Sequence, residues 1–253
     1  MRILNQSIRM LVIAGCSAWL GCSAPLSEAS ILIGGTRVVY DEDQTEVTLK
    51  LVNEGDEPAL IQSWIDAGDL HDIPSNAETP FIITPPIMRL GPSRSQSLRI
   101  VHTGEGLPQD RESVFWLNVL EVPPKPAADA NQLQLAVRSR IKLFYRPAHL
   151  KGLAEVAPAA LTWRLTRIDG LPAVQAHNPT PFNVSLTEIR VTAGGNTAHF
   201  GEGGMVGPGA TLAFPFKDGS VASGETPATV HYRSLDDIGA PVDSEAPLQT
   251  RAD

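Results

Sequence analysis

Residues 131–147 read "NQLQLAVRSRIKLFYRP", and this stretch decides the fold class. Apolar and polar side chains alternate along it, which is the period-two pattern of an extended strand. One face carries Leu133, Leu135, Val137, Ile141 and Leu143. The other face carries Gln134, Ala136, Arg138, Arg140 and Lys142. An ordinary half-buried strand fits the pattern, and so does a strand that pairs with another chain.

The rest of the chain repeats this kind of segment. Short alternating or apolar runs such as "TEVTLKLVN", "VFWLNVLEV" and "FNVSLTEIRVT" lie between turn residues, among 21 prolines and 21 glycines. This spacing is typical of antiparallel all-β sandwiches. The long strand stops at Pro147, with about seven runs before it and about six after it. The sequence therefore predicts two sandwich domains, over residues 30–148 and 149–253.

The first 29 residues predict a secretory signal. Arg2 and Arg9 make its start basic, a short apolar run follows, and Ser27-Glu28-Ala29 offers small residues at a cleavage site. The apolar run is shorter than the roughly 20 residues that cross a bilayer. Lipoprotein processing at Cys16 or Cys22 is the alternative. Both interpretations predict export.

Composition excludes several function classes. The whole chain has 20 basic and 28 acidic residues, and the segment after residue 29 keeps 18 and 27 of them, a net charge of −9. This balance argues against nucleic-acid binding. Both cysteines lie in the predicted signal, so the remaining chain has no thiol for a disulfide or a metal site. The six histidines lack metal-ligand spacing, and no nucleophile motif precedes a helix. We expect no enzyme activity, no catalytic residues, no metal, no cofactor and no small-molecule substrate.

Several segments together resemble the periplasmic pilus chaperones of the chaperone–usher pathway. The resemblance covers essentially the whole chain after the predicted signal. It rests on these stretches, in this order: "GGTRVVYDEDQTEVTLKLVN", "ALIQSWID", "FIITPPIMRLGPSRSQSLRIVH", "LPQDRESVFWLNVLEVPP", "LQLAVRSRIKLFYRP", "HNPTPFNVSL", "GGMVGPG" and "RSLDDIGAPV".

This resemblance implies two immunoglobulin-like domains arranged as a boomerang around a cleft. Chaperones of this family bind a pilin subunit, an incomplete immunoglobulin fold, by lending it one strand. They then deliver the subunit to an outer-membrane usher. The free form of this chain could also cap itself as a homodimer. The short polar segment "KPAADAN" (125–131) resembles the short-loop branch of the family, and the absence of a second-domain disulfide departs from many members.

The resemblance also implies roles for particular residues. Leu133, Leu135 and Val137 match the donor residues of the lent strand. Arg37 and Lys142 match the cleft cations that bind the carboxylate at the end of the subunit. Two fixed cations in a partly desolvated cleft would form charge-assisted hydrogen bonds with that group.

A second set of charges matches the ionic network between the two domains. It consists of Glu112, Arg146 and Asp237, with Asp236 as the alternative acid, because "DDIGA" departs from the expected form. We expect Arg138 and Arg140 to be solvated edge charges that deter self-pairing.

Two other functions compete with the chaperone. One is a non-catalytic two-domain adhesin or binding module, which gives no reason to place Arg37 and Lys142 together. The other is an enzyme or copper-binding sandwich, which the lack of clustered histidine, methionine or cysteine disfavours.

Overall fold

The structure is a computed structural model, and it describes residues 30–75, 77–125, 134–200, 203–216 and 228–249. The predicted signal, residues 1–29, lies outside the described residues. So does Leu133, the first of the three predicted donor residues.

The first sandwich is built from strands that pack in two sheets. In the described residues they are β1 (Ile31–Ile33), β2 (Arg37–Asp41), β3 (Val47–Asn53), β4 (Ala59–Asp66), β5 (Phe81–Thr84), β6 (Ile87–Leu90), β7 (Ser95–His102), β8 (Ser113–Val122) and β9 (Val137–Arg146). One sheet has the order β1-β3-β7-β5, and the other has the order β2-β9-β8-β4-β6. β2 runs parallel to β9, whereas β8 runs antiparallel to it.

The alternation in the sequence explains the core of this sandwich. In β3, Leu49 and Leu51 are buried while Lys50 between them is exposed. Leu98 and Ile100 of β7 and Leu117 of β8 belong to the same buried cluster. β3 and β7 therefore contribute alternate side chains to the core, as a sheet with one buried face requires.

The second sandwich follows two short 3-10 helices, Ala154–Val156 and Pro158–Ala160. Its strands in the described residues are β10 (Thr162–Ile168), β11 (Leu171–His177), β12 (Val184–Ala193), β13 (Asn196–Phe200), β14 (Gly204–Val206), β15 (Thr211–Pro215), β16 (Ala228–Leu235) and β17 (Pro241–Gln249). They pair in the order β13-β12-β16-β17-β10-β11-β15, and β14 adds to β12.

This second sandwich has a core of its own. Trp163 is fully buried at its centre, with its ring centroid 5.0 Å from that of Tyr232 and 6.5 Å from that of Phe214. Val174 and Val191 complete the middle of the same cluster. Two separate buried clusters in an almost entirely β chain confirm the prediction of two immunoglobulin-like sandwiches.

Candidate functional site

The side chains of the long strand β9 become less buried towards its N-terminal end. Tyr145 and Leu143 are 2% and 0% exposed, and Ile141 still packs against the core from a half-buried position. At the start of the strand on the same face, Val137 is 38% exposed, and Leu135, two residues before β9 begins, is 57% exposed. The row of side chains that fills the core at one end of the strand is uncovered at the other end.

One backbone edge of this strand is also open. β8 pairs with β9 from Val137 to Tyr145, so one edge is covered along almost its whole length. β2 covers the other edge only from Lys142 to Arg146. Among the described residues, no strand pairs with that second edge over positions 137–141. Unpaired backbone groups beside an exposed apolar row form a template for an added strand.

Arg37 and Lys142 lie side by side where this open edge begins. They are register partners, Arg37 at the start of β2 and Lys142 in β9. Arg37 Nη1 donates to the carbonyl oxygen of Leu235 at 3.1 Å, and Lys142 Nζ lies 3.2 Å from Ser185 Oγ. Both of these partners belong to the second sandwich. The two cations therefore lie at the junction of the domains.

No acidic side chain in the described part of the chain pairs with either cation. Neither forms an ion pair with a described residue, and Arg37 Nε is buried without a hydrogen-bond partner among them. Burial lowers the pKa of Lys142, and the neighbouring Arg37 lowers it further. Burial also lowers the pKa of Arg37, although Asp237, Asp236 and Glu112 at longer range oppose this effect. A bound anion would relieve the repulsion and satisfy the free donor.

Arg146, four residues after Lys142, has the opposite environment. Its Nε donates to Glu112 Oε1 at 2.7 Å, and its Nη1 and Nη2 form a fork on Asp237 at 2.7 and 2.8 Å. Glu112 is 5% exposed and also accepts from the backbone N–H of Asn183 at 2.8 Å. Burial would lower the pKa of Arg146, but the two carboxylates raise it above its ordinary value. This network joins the first sandwich to the second through fully satisfied charges.

Of the two candidate acids, Asp237 pairs with Arg146 and Asp236 does not. Asp236 Oδ1 instead accepts from the backbone N–H groups of Ile238 at 3.1 Å and Ala240 at 2.7 Å, which holds the turn between β16 and β17. Gly239 in this turn has φ +84°, and a Cβ there would lie 1.9 Å from Thr36 Oγ1. The turn thus needs glycine in order to approach the first domain.

The prediction that Arg138 and Arg140 are solvated edge charges is wrong for Arg140, whose side chain is 17% exposed, and incomplete for Arg138, which is exposed yet also contacts the protein. Arg140 forms an ion pair with Asp66, whose side chain is fully buried, and Arg138 Nη2 lies 3.7 Å from the same carboxylate. Both guanidinium groups lie over tryptophan rings of neighbouring strands. They contact the sheet face, because strands distant in sequence bring an acid and two aromatic rings beneath them.

Sequence reasoning missed Asp66 and Ser185 as parts of this region. Asp66 ends the segment "QSWID", and an acidic residue directly after the apolar pair Trp64-Ile65 is the signal that could have drawn attention to it. Ser185 lies in "FNVSL" and has no comparable signal, since its relation to Lys142 depends on how the two domains meet.

The described residues contain neither a metal-binding cluster nor a membrane-spanning helix. No group of three or more histidine, cysteine or acidic side chains there is arranged to hold a metal ion. The described part of the chain contains no helix of the length and apolarity needed to cross a membrane.

Comparison with known proteins identifies a family over most of the chain. Residues 30–151 match the model of the pili and flagellar-assembly chaperone PapD N-terminal domain. Residues 156–246 match the model of the pili assembly chaperone PapD C-terminal domain.

Individual relatives match along nearly their whole length. The probable fimbrial chaperone YadV of Escherichia coli K12 is 42% identical, with 88% of this chain and 91% of that protein aligned. The chaperone protein FimB/FhaD of Bordetella pertussis Tohama I is 43% identical, with 91% and 93% aligned. Among solved structures, the Salmonella enterica SafA pilin in complex with the SafB chaperone matches with a TM-score of 0.71 at 30% identity, over 88% of this chain and 98% of that one.

Proposed function

The chain belongs to the family of PapD-like pilus-assembly chaperones, and we propose that it binds pilin subunits by donor-strand complementation in the periplasm. In this proposal it captures each subunit after export and delivers it to an outer-membrane usher. The role is that of a chaperone, and no chemical step is needed. Residues 1–29 would act as the export signal, and the two domains would cover residues 30–148 and 149–253.

The observation that carries the proposal is the change in environment along β9. The apolar row is buried at Leu143 and exposed at Val137 and Leu135, on a segment whose second backbone edge is open. A soluble protein normally protects such an edge, because it invites aggregation. An incomplete sandwich whose own last strand is missing would be completed by this segment, with Leu135, Val137 and Leu133 filling its groove.

The cleft defines the direction of the added strand. β2 runs parallel to β9 and begins at Arg37, opposite Lys142. A guest strand that takes the position of β2 further back along β9, and ends its carboxylate at these two cations, has to run parallel to β9. The cations would then set the register, since one terminal carboxylate can occupy only one position along the strand.

The satisfied network around Arg146 would have a different role. Glu112 lies in the first sandwich and Asp237 in the second, so the two hydrogen-bonded pairs of Arg146 hold the domains at one angle. This angle would keep Ser185 and Leu235 close to the two cleft cations. In the free form, a second copy of the chain could cover the open segment as a self-capping dimer.

The substitution Leu135→Asp tests the proposal directly. A charge forced into an apolar groove without a partner costs several kcal/mol, so we expect the variant to fold and to lose its subunit. The measurement is recovery of a pilin with the tagged chain from a periplasm that expresses the matching pilus genes, identified by mass spectrometry. Normal recovery would mean that the chain lends some other segment or does not lend one.

Leu171→Asp is the matched control. Leu171 is 61% exposed, close to the value for Leu135, but lies on β11 of the second sandwich, away from the open edge. We expect this variant to recover the subunit as the wild-type chain does. Equal loss in both variants would point to a general effect of a new surface charge. If the wild-type chain recovers no small sandwich subunit, the adhesin interpretation becomes the better one.

A further inference from the structure

The face of β9 opposite the donor row carries a buried ionic cluster at its centre. Asp66, at the end of β4, accepts hydrogen bonds from Asn118 Nδ2 at 2.7 Å and from the backbone N–H of Gly68 at 2.8 Å. Arg140 of β9 forms an ion pair with both oxygens of the same carboxylate. Burial would raise the pKa of Asp66, but the hydrogen bonds from Arg140, Asn118 and Gly68 lower it. The carboxylate therefore stays charged and fully bonded inside the protein.

Arg138 extends this cluster to the end of the described strand. Its Nε donates to Asn118 Oδ1 at 2.9 Å, and its Nη1 donates to the carbonyl oxygen of Leu70 at 2.9 Å. Its guanidinium lies 4.8 Å from the ring centroid of Trp64, and that of Arg140 lies 4.7 Å from the ring centroid of Trp116. Such cation–π contacts add to the hydrogen bonds where the cation is partly desolvated.

The cluster lies on the part of β9 that does not pair with β2 and is only partly covered by the core. From Val137 to Ile141 the strand has one open backbone edge, and its front face is leaving the core. Pairing with β8, the packing of Ile141 at one end and the contacts of Arg138 and Arg140 hold this segment. Because side chains alternate, two arginines fixed to the back face keep Val137, the first residue of β9, on the front face, and Leu135 precedes it by two residues.

We propose that Asp66, Arg138 and Arg140 form a clamp that holds the lending segment of β9 extended and in register for the subunit. These are positioning residues, since they act through the strand and do not touch the guest. The proposal rests on the proposed function for its purpose, but the state of the strand can be measured without any subunit. A clamp of this kind orders the segment before binding, so that less conformational entropy is lost when the subunit binds.

The test replaces the ion pair with apolar residues in the double variant Asp66→Leu with Arg140→Met. Replacing both members of a buried pair is often neutral for stability, whereas removing one member is not. We expect a urea midpoint close to that of the wild-type chain. We also expect roughly tenfold faster hydrogen exchange at the amides of residues 137–141 that bond to β8, because local opening becomes easier. Subunit recovery should fall by about tenfold or more, because the segment then has to be ordered on binding.

The matched control is Glu46→Leu with Arg99→Met. This ion pair lies on the other sheet of the same sandwich, is exposed, and is far from β9 in the sheet order. The control also removes one negative and one positive charge. We expect it to change neither the hydrogen exchange at residues 137–141 nor the recovery of the subunit.

Arg138→Met is a second variant in case the double variant does not fold. It keeps the Asp66–Arg140 pair and removes the contacts of Arg138 to Asn118, Leu70 and Trp64, together with its longer contacts to Asp66 and Asp72. We expect a smaller rise in exchange at the same amides and a partial loss of subunit.

The two measurements separate this proposal from the proposed function. Wild-type exchange at 137–141 in the double variant, or in Arg138→Met if only that variant folds, would overturn the clamp. So would faster exchange accompanied by undiminished recovery, since the subunit would then be indifferent to how the strand is held. Failure of the wild-type chain to recover any pilin would instead count against the proposed function, while the exchange data would still decide whether the clamp exists.

Discussion

Lys142 and Arg146 lie four residues apart on the same face of β9, and the charges around them are of opposite sign. Arg146 is held by Glu112 and Asp237, on both sides of the domain junction. Lys142 has Arg37 beside it and lies within hydrogen-bond distance of the hydroxyl of Ser185. It forms no ion pair with any described acidic residue. Both cations are partly buried, so solvent cannot explain the difference. A buried charge that is paired on both sides fixes the positions of its partners. Two adjacent cations without an acidic partner would instead be stabilised by an anion from another molecule.

Substitution of Arg146 should have the largest effect on stability. Arg146→Ala would leave the buried Glu112 without its cation, and we expect a loss of about 3 kcal/mol in the free energy of unfolding. Urea denaturation followed by tryptophan fluorescence would measure it. Arg99→Ala is the control, because its ion pair with Glu46 is exposed and should contribute little. A variant of Arg146 as stable as this control would show that the network does not hold the domains together.

The comparison predicts the reverse result at Lys142. Lys142→Ala should leave stability nearly unchanged, within about 0.5 kcal/mol, since no folded-state ion pair is lost. Binding of a peptide that ends in the C-terminal strand of a recovered pilin should weaken by about 1.5–3 kcal/mol, or roughly ten- to a hundredfold. Isothermal titration would measure the affinity. Lys50→Ala, an exposed lysine on β3, is the matched control and should bind normally.

An amidated version of the same peptide identifies the group that the lysine binds. The amidated peptide should bind the wild-type chain weakly and should be nearly indifferent to loss of Lys142 or Arg37. The double variant of Arg37 and Lys142 should lose less than the sum of the single losses, because the two cations share one carboxylate. Equal affinity for the acid and the amide would remove the anchoring role from this pair.

The smallest expected effect is a pH dependence with opposite signs for binding and stability. The pKa of Lys142 is lowered in the folded chain, so the unfolded chain binds more protons between the folded value and the ordinary one. Stability linked to this residue should therefore rise with pH across that window. Affinity for the carboxylate should fall across the same window, because the lysine loses its charge.

Titration of both quantities on the wild-type chain and on Lys142→Arg would check this prediction. The arginine stays charged throughout, so both slopes should flatten in that variant. An unchanged slope of binding against pH in Lys142→Arg would assign the dependence to another group.

Much of the fold could be predicted from the sequence, for a simple reason. Period-two alternation and turn residues are local properties, and they determined that the chain is all-β and where β3 and β8 run, although β9 begins at Val137, later than the alternation predicts. The alternation also determined which side chains of β9 share a face. Resemblance to a family, which depends on the order of several segments, pointed to Arg37, Lys142, Glu112 and Arg146.

The environment of each side chain was decided by the tertiary structure alone. Alternation places Leu135 and Leu143 on one face, but only the extent of the opposite sheet makes one exposed and the other buried. The choice of Asp237 over Asp236 depends on how the turn after β16 meets the first domain. Local alternation makes Arg138 and Arg140 look like solvated edge charges, yet the buried carboxylate of Asp66, 72 and 74 positions away in sequence, lies beside them. Charge pairing between distant strands depends on sheet order and register, and neither quantity is written in a local pattern.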